Sequence, residues 1–342
     1  MVRSYGAPWS IVKCGLSCYV APRTGLPLLI LLVLLLAPVR DAPGQGLPDF
    51  APLNPMASSR SGLYYQPYRD PAPRRWVATL GVDYASVIEY NRRTEADYVL
   101  DSELLRVSLG MSRDLSARSF VIVAGSVAGA YSGFLDGFLN WYHGALGIRI
   151  DERERRPRDD FLYTVTLPDG SGVSRSRSSL FLQDVRVGFG VRFGPKLQSV
   201  LSMTLPTSTG PEGYGRGTLS LGLLNTYRSQ LKPDLVYEGS LGLGFTPAYG
   251  GLLEGQRRAF LAVTSGLRMR VWGQQSLFAN LFYHSPYYEG TTLPALDSRE
   301  LSLDFGWIFQ SRQGREWRIG LTEDLEPGGP GVDLILRLGR TF

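Results

Sequence analysis

Residues Val332 to Phe342 read V-D-L-I-L-R-L-G-R-T-F, a run that alternates apolar with polar side chains and ends on an aromatic carboxy-terminal residue. Successive strand residues point to opposite faces, so Val332, Leu334, Leu336, Leu338 and Phe342 share one side and Asp333, Arg337, Gly339 and Thr341 the other. One face suits lipid and the other water, which is how a strand of a membrane-spanning barrel reads. A single such strand decides little. Its weight comes from repetition upstream.

The clearest repeat is Leu301 to Gln310, where Leu301, Leu303, Phe305, Trp307 and Phe309 alternate with Ser302, Asp304, Gly306, Ile308 and Gln310. A helix would scatter those apolar residues around its axis. Val185, Val187, Phe189, Val191 and Phe193 alternate in the same way with Asp184, Arg186, Gly188, Gly190 and Arg192, as do Leu105, Val107, Leu109 and Met111 with Arg106, Ser108, Gly110 and Ser112. Strands are predicted at 76–90, 97–113, 117–131, 179–193, 197–206, 216–228, 234–247, 257–272, 275–286, 297–311, 315–323 and 331–342. About twelve strands result, and single-chain bacterial barrels have an even number.

A soluble sandwich alternates too, so connection lengths must choose. With Trp76 entering from the periplasm, every second connection is short: R-D-L-S-A near 115, G-P-K near 195, Lys232-Pro233, G-Q-Q near 274 and S-R-Q-G-R near 313. The intervening ones are mostly longer, above all 132–178. Short turns on one side and long loops on the other predict an all-β fold, a single transmembrane antiparallel β-barrel. The 40 glycines, 18 tyrosines and 15 phenylalanines beside five methionines suit strands, turns and aromatic girdles.

The amino terminus carries Arg3, Lys13 and Arg23, then the apolar run Leu26–Ala37, then Pro, Ala and Gly. That run falls short of the roughly 20 residues a spanning helix needs, and its flanks are those of a secretory signal. The expected organisation is a cleaved signal peptide at 1–42, a Pro-rich periplasmic lead-in at 43–75 that could tuck into the barrel mouth, and the barrel at 76–342. Cys14 and Cys18 are the two cysteines, and both precede the apolar run, so neither a disulfide nor a lipid anchor is expected in the processed chain. Removing 1–42 takes away Arg3, Lys13, Arg23, Arg40 and Asp41, which lowers the balance from +5 to +2. No nucleic-acid partner is expected from that charge.

The connection 132–178 holds G-F-L-D-G-F-L-N-W-Y-H-G-A-L-G, where Phe134, Leu135, Phe138, Leu139, Tyr142 and Leu146 group on one side of a short helix and Asp136, Asn140 and His143 on the other. The charge run at 151–160 and a hairpin over Phe161–Leu167 and P-D-G follow.

Four segments, L-N-P-M from Leu53, L-D-S-E-L-L-R from Leu100, G-F-L-D-G-F-L-N-W-Y-H from Gly133 and L-Q-D-V-R-V-G from Leu182, resemble an outer-membrane family of Gram-negative bacteria known as a domain of unknown function, family 3187. They cover much of the amino-terminal half, while the remainder resembles only a generic barrel. The resemblance implies a β-barrel in the outer membrane and supplies no catalytic residue. Arg340 stands where an apolar residue is usual near a barrel's end, and at the interface it can snorkel.

Strand phase directs Asp83, Arg106, Asp184, Arg186, Arg192, Glu238, Arg268, Arg270, Asp304, Glu316, Arg318, Asp333 and Arg337 inward. A cation at the midplane of the lipid face costs roughly 2 to 4 kcal/mol, so their shared phase favours the lumen. Two readings follow: a mixed-sign pore lining that selects a small polar or amphipathic solute, and a salt-bridge network that fills a narrow barrel. Asp136, Asn140 and His143 are the candidates for a constriction formed by the loop helix. Their spacing lacks a second good transition-metal ligand, and neither a metal nor another cofactor is expected. The other histidine, His284 in F-Y-H-S-P-Y-Y, could serve an outer-membrane acyl hydrolase acting on lipid or lipopolysaccharide, but the adjacent Ser285 points to the opposite face. An interfacial aromatic cluster accounts for it more simply.

The expected function is passive passage of a small solute through a porin-like barrel, with the acyl hydrolase and a closed structural or adhesion barrel as alternatives. Expected partners are outer-membrane lipid, lipopolysaccharide and the barrel-assembly machinery, which would meet the strand ending at Phe342.

Overall fold

The computed structural model describes residues 47–55, 63–72, 76–92, 97–147, 156–167, 169–170, 172–175, 177–210, 214, 217–247, 255–311, 315–326 and 329–342. The expected signal peptide lies outside the described residues. Fifteen strands form one sheet: β1 Trp76–Arg92, β2 Asp97–Asp114, β3 Ser119–Tyr131, β4 Leu162–Thr166, β5 Gly172–Arg175, β6 Ser178–Leu182, β7 Arg186–Arg192, β8 Leu197–Thr204, β9 Ser220–Lys232, β10 Leu235–Phe245, β11 Ala259–Trp272, β12 Gln275–His284, β13 Glu300–Gln310, β14 Glu316–Asp324 and β15 Leu334–Thr341. The described residues include the helices α1 Asp136–Leu146 and α2 Pro294–Asp297.

Twelve of the strands close into an antiparallel barrel. The first and last strands seal it, with Thr79 opposite Thr341 and Asp83 opposite Arg337, and β2 pairs with β3 to complete the ring. Alternation sets the faces as expected. Leu277, Leu281, Phe305, Phe309 and Ile319 stand exposed on the outer wall, while Asp304 and Ile308 are buried inside. Among the described residues no helix is long and apolar enough to cross a membrane; the strands are the spanning elements.

One expected strand is interrupted. The segment predicted at 179–193 divides into β6 and β7 around Gln183–Val185. There side chains supplement a partly kept ladder: Gln183 N–H still donates to the Ser126 carbonyl, while Val185 N–H donates to Thr207 Oγ1, Leu182 N–H to Thr209 Oγ1, and Ser208 N–H to the Asp184 carboxylate. The expected hairpin after the charge run forms as β4 and β5, and β4 extends the outer end of β2.

The hydrophobic core sits inside the barrel, towards its outer end. Tyr98, Leu100, Tyr163, Val165, Phe282, Tyr287, Tyr288 and Leu296 bury one another there together with Phe50 and Leu53 of the amino-terminal segment. At the opposite rim Arg340 lies over the rings of Trp317 and Phe342, 4.6 and 4.4 Å from their centroids. That is the environment in which a cation at a membrane interface is tolerated.

Candidate functional site

The segment expected as a periplasmic lead-in is inside the lumen. Residues 47–55 run from mid-barrel towards the outer end, where Asn54 donates to Glu89. Residues 63–72 run back to the periplasmic end, where Ala72 N–H donates to Asp114 Oδ2 at 2.6 Å. Mutual hydrogen bonds between Phe50 and Tyr65, 3.1 and 2.7 Å, hold the two arms together. The prolines keep the two arms out of the sheet. The segment reaches beyond the barrel mouth expected for it and fills the lumen.

The wall grips this plug at three levels. In the middle, Arg106 donates to the carbonyls of Ala51 and Pro52, Arg337 Nη2 to the Asp49 carbonyl at 3.0 Å, and Arg318 pairs with the Asp49 carboxylate at 2.8 Å. Towards the periplasmic side, Glu238 accepts from Tyr68 N–H at 2.6 Å and from the Tyr65 hydroxyl. At the rim, Gln198 accepts from Arg69 N–H and donates to the Pro67 carbonyl, Arg192 donates to the Arg69 carbonyl, and Tyr68 donates to the Gly194 carbonyl. Arg228 pairs with Asp70 and lies over the Tyr68 ring.

Beneath these contacts the wall carries charge pairs of its own. Asp83 accepts from both Arg106 (2.7 Å) and Arg337 (3.1 Å), and Arg337 reaches Asp304 at 3.2 Å. Arg268 pairs with Glu316 at 3.0 Å, and Arg192 with Asp114 at 2.7 Å. A cavity of about 180 Å³ lies beside the plug, bordered by Asp49, Asp83, Arg106, Arg186, Asp304, Arg318 and Arg337. A wider vestibule of about 530 Å³ opens at the periplasmic end, where Lys196, Arg228, Arg268 and Arg270 outnumber Asp234.

The structure thus gathers Asp83, Arg106, Asp304 and Arg337 into one group, sets Arg318 on Asp49 beside it, pairs Arg192 with Asp114 and Arg268 with Glu316, and turns Glu238 onto the plug. Arg186 lies over the Tyr64 ring at 3.3 Å, Asp184 borders the small cavity while accepting from Ser208, and Arg270 borders the vestibule. Asp333 precedes β15 and lies outside any strand. Residues not anticipated are Asn54, Tyr65, Tyr68, Asp70, Asp114, Gln198 and Glu89, all of which tie plug to wall. The aromatic run Tyr64-Tyr65 and Tyr68 in a Pro-rich setting was the available signal.

The loop helix is a correction. Asp136, Asn140 and His143 were expected to constrict the passage, but α1 lies on the outside of the barrel. Leu135 and Leu139 are buried against Leu334, with Tyr84, Leu321 and Leu336 packed around them, and all four wall residues belong to the outward phase. His143 is buried on that same face, 3.7 Å from Glu323. Asp136 instead accepts from Asp159 N–H at 2.7 Å in the loop above.

His284 is buried among Phe260, Phe282 and Tyr287, stacked on Tyr287 with ring centroids 4.1 Å apart. Its Nδ1 donates to the Ser285 carbonyl, while the Ser285 hydroxyl accepts from Leu261 N–H. Histidine and serine side chains therefore point apart, and this geometry does not assemble a nucleophile and its base.

A closed twelve-stranded barrel with an oily exterior and an ionic, plugged lumen defines an outer-membrane β-barrel. The chain belongs to the family described as a protein of unknown function, DUF3187, whose profile matches residues 28–342. No curated protein matches it by sequence. Among solved structures it is similar to the COG4313 outer membrane channel from Pseudomonas putida F1, with 11% identity, 79% of this chain and 96% of that one covered, and a TM-score of 0.54. It is more distantly similar to the Pseudomonas putida toluene transporter TodX, with 10% identity, 89% and 98% covered, and a TM-score of 0.41. At such identities the likeness is one of fold.

Proposed function

We propose that this protein is an outer-membrane channel for a small polar or amphipathic solute, held closed at rest by its own amino-terminal segment. One observation carries the reading. Among the described residues, the backbone-to-backbone bonds of the plug join Phe50 to Tyr65, while its bonds to the wall all involve a side chain. The plug is therefore no part of the barrel ladder, and its departure would leave every strand paired.

What remains after departure supports passage. Asp83, Arg106, Arg337 and Asp304 neutralise one another within the wall, as do Arg268 and Glu316, so the lining keeps paired charges of both signs. Such a lining favours neutral-polar or zwitterionic solutes over bare ions. The similarly folded protein from Pseudomonas putida F1 is described as an outer membrane channel, which agrees with this reading. His284 and Ser285 favour no hydrolase, and no catalytic role is assigned.

Deleting residues 47–72 tests it. In planar bilayers the deleted barrel should conduct steadily, whereas the full processed chain should open only in discrete, infrequent events. A deleted barrel that folds, by its heat-modifiable gel mobility, and yet stays silent would exclude the channel and favour a structural barrel.

A further inference from the structure

The exposed side of α1 is unclaimed by the lumen reading. Phe134, just before the helix, is 70% exposed with one ring face stacked on Tyr84 of the wall, Trp141 is 67% exposed, and Phe138 lies tilted against Trp141 and stacked on Tyr142. The opposite side of the helix, Leu135, Leu139 and His143, is fixed on the outer wall. An aromatic face this large on a soluble surface would be an aggregation hazard.

The helix is seated at a defined depth. Its contact Leu334 lies seven residues from Thr341 at the periplasmic end of β15, about 24 Å along a strand that rises roughly 3.4 Å per residue. Strand tilt shortens the height further, so the contact falls within the apolar band of about 25 Å that such barrels present to lipid. The seat itself is built for a low-dielectric surrounding. Glu103 shares the outward phase of Leu105, Val107, Leu109 and Met111, where a lone carboxylate would be costly. It is buried instead, accepting from Phe134 N–H at 2.9 Å, from Leu135 N–H and from the Tyr84 hydroxyl. Gly133, with φ of +75°, lets the backbone come close enough, because a Cβ there would collide with the Glu103 side chain. The polar edge, through Asp136, faces the loop at Asp159.

We propose that α1 is an outer-leaflet lipid-contact element: its Phe134, Phe138 and Trp141 face is covered by the acyl chains of the surrounding lipid, continuous with the barrel's own apolar band. The helix lies along the wall as an interfacial amphipathic helix does, with one face anchored on protein in place of water. This rests on the barrel residing in a membrane, and the experiment separates the two.

Chains retaining either Trp141 alone or Trp307 alone, the other tryptophans replaced by phenylalanine, are reconstituted in phosphatidylcholine vesicles with and without bromines on the acyl chains. Trp307 faces outward from β13 and reports the membrane reading by itself. Quenching of Trp141 by brominated chains to the same extent as Trp307, with little quenching by aqueous iodide, is the expected result. Trp307 quenched by bromine and Trp141 only by iodide would overturn the inference and leave the membrane reading intact. Trp141 shielded from both quenchers would assign the face to a second copy of the chain and overturn it equally. If neither tryptophan meets bromine, both readings fall.

Discussion

Asp83 holds the lumen's charge network at its centre, because one carboxylate serves two guanidinium groups, Arg106 and Arg337. Asp83→Ala leaves buried Arg106 without its carboxylate partner and Arg337 with Asp304 alone. Breaking a buried pair this way costs about 3–5 kcal/mol, so the substituted barrel should unfold at clearly lower urea concentration, read by loss of its folded gel mobility. An unchanged midpoint would mean that lumen water already solvates the arginines. The inward direction of these residues was legible, since strand phase alone gave it. Their partners were not: Asp83 to Arg337 spans the closure of the ring, a contact separated by the whole barrel in sequence. Glu103 was legible in principle, as a carboxylate in the apolar phase of β2, and its partner lay in another of the family-like segments, at Gly133–Leu135.

Elements were legible where periodicity decides them and opaque where placement does. Strand boundaries followed the alternation to within a few residues, except at Gln183–Val185, where side chains of Asp184 and Thr207 enter among the backbone bonds and no pattern announces it. Helix α1 was readable as a helix, but 3.6-residue spacing cannot say on which side of a wall a helix will rest. The spacing grouped Leu135 and Leu139 with the aromatics and set His143 on the polar side, whereas the structure buries Leu135, Leu139 and His143 together and leaves Phe138 and Trp141 exposed. The plug was readable as irregular chain that could reach the barrel mouth, but not as the filling of the lumen. One of its ties is the fully buried Glu238, which accepts from both Tyr65 and Tyr68. Glu238→Ala should therefore raise the frequency of channel opening while leaving the barrel's urea midpoint nearly unchanged, since the ladder around it is intact. Equal openings in both proteins would show that Glu238 does not hold the plug.

The whole molecule couples a rigid cylinder to a removable filling. Ladder hydrogen bonds close the wall without the amino-terminal segment, while the segment supplies Leu47, Phe50, Leu53, Leu63, Tyr65 and Tyr68 to the buried interior. Burying each such side chain contributes roughly 1.5–3 kcal/mol, so the closed state dominates and opening is rare unless something draws the segment out. Barrel class and strand number came from alternation and loop lengths. Closure by a segment from outside the barrel sequence did not, because it depends on contacts between irregular chain and wall. The most direct test locks that segment. Leu63 lies against Gly244 of β10, and residues 47–342 contain no cysteine, so Leu63→Cys with Gly244→Cys can place a single reversible bridge between plug and wall. Single-channel recording should find the oxidised protein silent and its openings restored by a reductant. Openings that persist unchanged while the bridge is intact would contradict closure by the amino-terminal segment.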